Sequence, residues 1–356
     1  MPTLHKLLQG ALSLTQRGDL QAATTAIQAA LARHAGPAPL NGDQVIDVQA
    51  FVTPGRFTLP GAGHRGPIAP PAPESTDPRF TAGRYANNSG HRDYKLFVPP
   101  QAGTRPLPLV VMLHGCTQNP DDFAAGTAMN ELAQQEGFYV LYPAQSRKSN
   151  PQGCWNWFKH THQARGRGEP ALLAEMTRQV MGQHTVDPNR VYVAGLSAGG
   201  AMAAILGETY PDLFAAIGVH SGLPAKVASD LPSALAAMRS GPADARASAL
   251  GRVPAIVFHG DADTTVHPSN GEHIVRASAG ATQEVSQARA PGGRDYTRSV
   301  RRGENGAVLA EHWLVHGAPH AWSGGSGRGS YTDPQGPDAS AEMLRFFLEH
   351  PRATPL

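Results

Sequence analysis

The stretch Val191-Tyr192-Val193-Ala194-Gly195-Leu196-Ser197-Ala198-Gly199-Gly200 decides how this chain is read. Val191, Tyr192 and Val193 are a β-prone apolar run. Gly195 to Gly199 fit G-x-S-x-G, and Gly200-Ala201-Met202-Ala203-Ala204 opens a helix. Strand, tight turn and helix in that order make the pattern a nucleophile elbow. A serine on so sharp a turn is strained, and a side chain at either flanking glycine would strike the strand or the helix. The helix start also points free N–H groups and a positive dipole end toward the place where an oxyanion would form. A bare match is not rare in a chain with 39 Gly, but no second match occurs and the flanks fit.

Outward from the elbow, strands alternate with helices. Tyr94–Val98, Leu109–Leu113, Phe138–Tyr142, Phe214–Val219, Ala255–Phe258 and Trp313–Val315 read as strands. Thr127–Gln135, Pro170–Gln183 and Ala339–Glu349 read as helices, the last capped by Asp338. Asp187-Pro188-Asn189 reads as a turn into the elbow strand, and residues 224–252 as a cap over the site. Continuously apolar strands separated by helices imply a mainly parallel sheet flanked by helices, and the elbow at Ser197 makes the expected fold an α/β-hydrolase fold. This catalytic domain is expected over residues 83–352. Residues 1–34 carry two short amphipathic stretches, Leu4 to Leu12 and Leu20 to Leu31, and predict a helical hairpin. Residues 35–82, rich in Pro and Gly, predict a linker or arm, with a strand to be formed by Val45–Phe51.

An elbow serine needs a base, an acid to orient the base, and donors for the oxyanion. On this sheet the chain order is Ser, acid, His. The strand Ala255–Phe258 runs into His259-Gly260-Asp261-Ala262-Asp263. Asp263, further into the turn, suits a carboxylate reaching across to an imidazole, and Asp261 suits a brace. The loop Gly317-Ala318-Pro319-His320-Ala321-Trp322 offers His320 as base, while His312 and His316 flank the preceding strand and read as structural or solvent-facing. The oxyanion donors are expected at the N–H of Ala198 and at that of Cys116 or Thr117, after the strand Leu109–Leu113.

The totals exclude several classes. The 356 residues suit one large α/β domain with an appendage, and 40% apolar residues allow a sizeable core. Lys+Arg 30 against Asp+Glu 28 gives a formal charge of +2, with no basic run longer than a pair, so no nucleic-acid partner is expected. No apolar run approaches the ~20 residues of a membrane span. Met1 to Leu14 has no signal-peptide core, so the default expectation is cytoplasmic, with secretion by another route as the alternative. Two cysteines are too few for a disulfide scaffold and are not spaced for zinc.

His114-Gly115-Cys116-Thr117-Gln118, Cys154-Trp155-Asn156-Trp157-Phe158, the elbow, His259-Gly260 with Asp263, and His320-Ala321-Trp322-Ser323-Gly324-Gly325 together resemble the polyhydroxybutyrate depolymerase family of esterases, itself similar to feruloyl and acetylxylan esterases. The resemblance runs from about Gly83 to Pro351. It implies a triad of Ser197, Asp263 and His320, an oxyanion hole from the amides of Cys116 and Ala198, and no metal or organic cofactor. It also implies a disulfide between Cys116 and Cys154, set against the cytoplasmic expectation, where thiols are kept reduced. The implied substrate is a short-chain polyhydroxyalkanoate polymer or oligomer, or an aryl or acetyl ester. Trp155 and Trp322 are expected to line the cleft, and Trp157 either the cleft or the core. The hairpin over residues 1–34 is expected to dock on its own chain, on a twin subunit or on polymer granules.

Overall fold

The computed structural model describes residues 71–87, 90–242, 253–276 and 282–352. The expected hairpin over 1–34, the strand Val45–Phe51 and most of the arm over 35–82 lie outside the described residues.

The first strands are β1 (Phe80–Asn87), β2 (Gly90–Phe97) and β3 (Leu107–Leu113). Sheet therefore begins at Phe80, before the expected Gly83. Helices α1 (Pro120–Thr127) and α2 (Met129–Glu136) follow in place of one helix over Thr127–Gln135. They break at Ala128, whose φ of 52° closes one helix and opens the next. Next come β4 (Tyr139–Pro143), α3 (Gly168–Gln183) and β5 (Val186–Leu196). Asp187-Pro188-Asn189 lies inside β5 rather than in a turn before it, because Val186 already pairs with Leu107 of β3. Then follow α4 (Ala198–Thr209), β6 (Ala216–His220), α5 (Leu231–Ser240), β7 (Ala255–Gly260) and α6 (Ser269–Arg276). In the segment expected to form a cap, α5 begins with a capping box between Asp230 and Ser233; residues 243–252 lie outside the described residues.

The chain continues through β8 (Thr282–Arg289), β9 (Asp295–Arg302) and β10 (Val308–Val315). The two-residue strands β11 (Trp322–Ser323) and β12 (Thr332–Asp333) pair with each other. The last described helix is α7 (Ala339–Glu349), where the Asp338 side chain accepts from Ala341 N–H at 3.0 Å.

Among the described residues ten strands form one sheet, in the order β1-β2-β4-β3-β5-β6-β7-β10-β9-β8. The centre, from β4 to β10, is parallel, and both margins are antiparallel. Alternation along the central strands divides two apolar layers. Leu109, Val111, Leu113, Val191 and Val193 face the layer that includes α3 and α4, whereas Val110, Met112, Tyr192 and Ala194 face the layer that includes α1 and α7. Among the described residues no helix is long and apolar enough to cross a membrane.

The hairpin β8–β9 was not legible as apolar runs. Every residue of β8 is exposed, so no burial selects apolar side chains there. The signal that could have found it is the Pro291-Gly292-Gly293 turn between two stretches of strand length.

Candidate active site

The C-terminal ends of the parallel strands bring the expected site residues to one edge of the sheet. Ser197 follows β5, Asp263 follows β7, and His320 lies on the loop after β10.

Ser197 has φ 57° and ψ −118°, a backbone state that costs a non-glycine residue about 1–3 kcal/mol. Close packing holds it there. A Cβ on Gly199 would lie 2.0 Å from Leu113 O, and one on Gly195 would lie 2.4 Å from the Gly199 carbonyl carbon. Helix α4 can therefore sit directly against β3. Ser197 N–H donates to His220 O at 2.9 Å, and Ser197 O accepts from Ala201 N–H.

Asp263 is buried. Its Oδ1 accepts N–H groups of Thr265 and Val266 at 2.8 and 2.9 Å, and its Oδ2 accepts from His320 Nδ1 at 2.7 Å. Burial alone would raise this carboxyl, but the charge of His320 and hydrogen bonds from His259 and His320 hold it far below the usual range. Asp261 serves as a brace, accepting from Gly317 N–H at 2.6 Å and from His316 Nδ1 at 2.8 Å. His312 is buried on β10, away from solvent.

His220 ties the elbow to the histidine loop. Its carbonyl holds Ser197 N–H, and its ring Nε2 accepts from Ser323 N–H at 2.9 Å, three residues past His320. That role needs a bare Nε2, and burial, with the charges of His259 and His320, keeps the ring well below the ordinary histidine range. Among the described residues the second nitrogen of His320 takes no protein partner, the Ser197 hydroxyl included. Such bonds commonly tighten only when substrate seats.

The amides near the elbow divide clearly. Gly115 O accepts from His114 Nδ1 at 2.8 Å and from Gln118 N–H at 3.4 Å. A trans peptide points its N–H opposite to its carbonyl, so Cys116 N–H faces the other way, and it has no acceptor among the described residues. Thr117 N–H is committed to Gln152 O at 2.9 Å, which removes Thr117 from the choice left open by the sequence. Ala198 is the first residue of α4, where an N–H has no acceptor within the helix. Cys116 and Cys154 form a disulfide, fixing the loop of Cys116 to the segment that starts at Cys154.

Trp155 and Trp322 are not where the cleft reading put them, and of the two options for Trp157 the structure shows the core. Trp155 is 0% exposed, Trp322 1% and Trp157 5%. Each is engaged inside. Trp155 Nε1–H donates to His114 O at 3.0 Å. Trp322 Nε1–H donates to Ser340 Oγ at 3.1 Å, and its ring stacks on His220. Trp157 meets Phe158 edge to face. Trp155 and Trp322 thus support, from the core side, the loop of His114 and the ring of His220.

Sequence reasoning missed two buried carboxylates that set these loops. Asp122 accepts from Ser330 N–H and Gln118 Nε2, and Gln118 Oε1 accepts from Gly115 N–H at 2.9 Å. Glu169 accepts from Gln145 Nε2 and from the backbone and side chain of Asn156, beside Cys154. Gln118 and Asn156 were quoted in the motifs, but nothing local to Asp122 or Glu169 marks them as their partners.

The sheet, the elbow and the loop-borne histidine together define an α/β-hydrolase. An acetyl xylan esterase from Aspergillus awamori has a similar fold, with a TM-score of 0.60 at 20% identity, over 76% of this chain and 99% of that one. The chain belongs to the esterase PHB depolymerase family, whose model matches residues 92–308. It is 34% identical to poly(3-hydroxyalkanoate) depolymerase C of Paucimonas lemoignei, over 60% of this chain and 54% of that protein. It is 31% identical to feruloyl esterase B of Thermothelomyces thermophilus, over 58% of this chain and 78% of that protein. The chain thus spans about half the length of the polyhydroxyalkanoate depolymerase it matches.

Proposed function

We propose that this protein is a serine carboxylic-ester hydrolase that cleaves short-chain polyhydroxyalkanoate polymer or oligomers through an acyl-enzyme. The observation that carries the reading is the bond from His320 Nδ1 to Asp263 Oδ2, on loops at the same sheet edge as the strained Ser197. His320 takes the Ser197 proton as the hydroxyl oxygen attacks the ester carbonyl. The amides of Cys116 and Ala198 receive the developing negative charge, each contributing ~3–4 kcal/mol if they match well-studied donors. The alcohol leaves with the proton from His320. Water, deprotonated by the same ring, then frees the acid and restores Ser197.

Mass-spectrometric identification of products from 3-hydroxybutyrate oligomers, with wild type and Ser197→Ala, tests this. Release of 3-hydroxybutyrate or its dimer by wild type alone supports it; no hydrolysis product from the oligomers defeats it. A second reading, an aryl or acetyl ester hydrolase, is favoured by the feruloyl esterase relative, most of whose length this chain covers. Methyl ferulate and acetylated xylan, assayed beside the oligomers, separate the two.

The disulfide favours an oxidising compartment, the secreted alternative, over the cytoplasmic one. For residues 1–34 we propose attachment to polymer granules or to a twin subunit. A chain starting near Thr81 that pelleted with polymer and sedimented as the full chain does would refute that.

A further inference from the structure

His259, near the end of β7, is fully buried beside the Asp263–His320 pair. Its Nε2 lies 2.9 Å from Val266 O and 3.4 Å from Asp263 Oδ2. Both neighbours are acceptors, so this nitrogen carries the hydrogen. The opposite nitrogen, Nδ1, has no hydrogen-bond partner among the described residues, and neither has Nε2 of His312. Both open on space kept clear by Gly271 of α6. A Cβ there would lie 2.9 Å from the first nitrogen and 3.1 Å from the second. A hydrogen on Nδ1 of His259 would therefore be buried without an acceptor, which holds the ring as the Nε2–H tautomer.

Asp263 Oδ2 is thus approached by two imidazoles, His320 at 2.7 Å and His259 at 3.4 Å, while Oδ1 is filled by two backbone amides. We propose that His259 is a positioning residue. Its Nε2–H, anchored on Val266 O, holds Oδ2 in line with His320 Nδ1 and takes a share of the carboxylate charge. The ionisable groups around it are Asp263 and His320, His220 on β6, and His312 on β10, with Arg301 of β9 beside His312. Helix α6 presents Gly271 to this region. The proposal rests on the ester-hydrolase reading for its kinetic consequence, but not for its structural one.

The test uses the full chain with three variants. His259→Gln places an amide N–H near the position of Nε2. His259→Asn reaches only the position of Nδ1, and His259→Leu removes every donor. The first readout needs no substrate: the low-field proton resonance of His320 Nδ1–H, assigned by its loss in His320→Ala. In Leu and Asn it moves further downfield, because the carboxylate is left to one imidazole; in Gln it stays near wild type. The second readout is hydrolysis of p-nitrophenyl butyrate. In Leu and Asn, kcat falls roughly tenfold to a hundredfold with KM little changed. The acid limb of the kcat/KM profile moves up by about half a pH unit. Gln recovers most of both. An unmoved resonance and acid limb in Leu and Asn, or a Gln variant no better than Asn, overturns the proposal. Should Leu fail to fold, by circular dichroism and thermal unfolding, the comparison of Gln with Asn decides. A wild type inert to every ester sinks the proposed function, while the resonance still judges His259.

Discussion

His320 Nδ1 lies 2.7 Å from Asp263 Oδ2, and the loops that carry them meet where Gly260 leaves room. A Cβ at Gly260 would lie 2.1 Å from Ala318 O, so the histidine loop can cross the end of β7 only over a glycine. The pair should behave as a unit. Asp263→Asn keeps the shape but offers the ring an amide that can hold the wrong tautomer. We expect kcat to fall by about 10³–10⁴-fold, with circular dichroism unchanged. Steady-state kinetics on p-nitrophenyl butyrate check this; a loss below about tenfold would remove Asp263 from the pair's working role.

The elbow glycines give a contrast within one residue type. Gly199→Ala forces a methyl against Leu113 O and His114 O, both backbone, which cannot swing aside. It should cost about 3 kcal/mol or more and displace the loop of Cys116, with activity lost as well. Gly182, near the end of α3, has nothing within 4 Å of its would-be Cβ. Gly182→Ala should therefore stabilise by about 0.5–1 kcal/mol and leave kcat unchanged. Urea unfolding of both variants, with activity measured alongside, makes the comparison.

The disulfide closes a loop of 38 residues between Cys116 and Cys154. Chain entropy alone assigns such a cross-link about 4 kcal/mol. Cys154→Ser, or wild type under dithiothreitol, should unfold at clearly lower urea. Activity should also drop, because Cys116 carries one of the proposed oxyanion donors. Equal midpoints with and without reductant, with thiol titration proving reduction, would contradict this.

Acid should destabilise the fold through buried neutral histidines. Burial pushes His114 down to about 4 and His312 to about 3. His114 Nε2 accepts from Gln145 N–H at 3.1 Å, a bond that requires it bare. The unfolded rings bind protons below about 6.5, while the folded ones do not until much lower. The contribution of His114 is thus fully present above pH 6.5 and lost as pH falls from there to about 4, a drop of about 3 kcal/mol. His312 acts in the same direction. Urea midpoints at pH 7.5, 6 and 5 should fall in that order, and His114→Gln should flatten the slope.

The parts legible in the sequence are those where local chemistry leaves no alternative. Leu109 to Leu113 are buried on both sheet faces and read as a strand; Gly195 and Gly199 are demanded by backbone approach, and they frame Ser197. His320 and Asp263 followed from chain order around the elbow. Trp155 and Trp322 misled because an indole in a motif looks the same whether its N–H meets a protein oxygen, as in the bond to Ser340, or a ligand. Asp122 and Ser330 are 208 residues apart, and only tertiary structure joins them. The exposed β8 carried no burial pattern to read.

That last long-range link bears on how the protein is made. The amide of Gly115, next to Cys116, is held by Gln118 Oε1, Gln118 is held by Asp122, and Asp122 is itself completed by Ser330, near the C-terminal end of the domain. A nascent chain that stops short of Ser330 already contains Ser197 and Asp263 but lacks the partner that completes Asp122. The brace behind the loop of Cys116 is therefore among the last contacts that translation can supply.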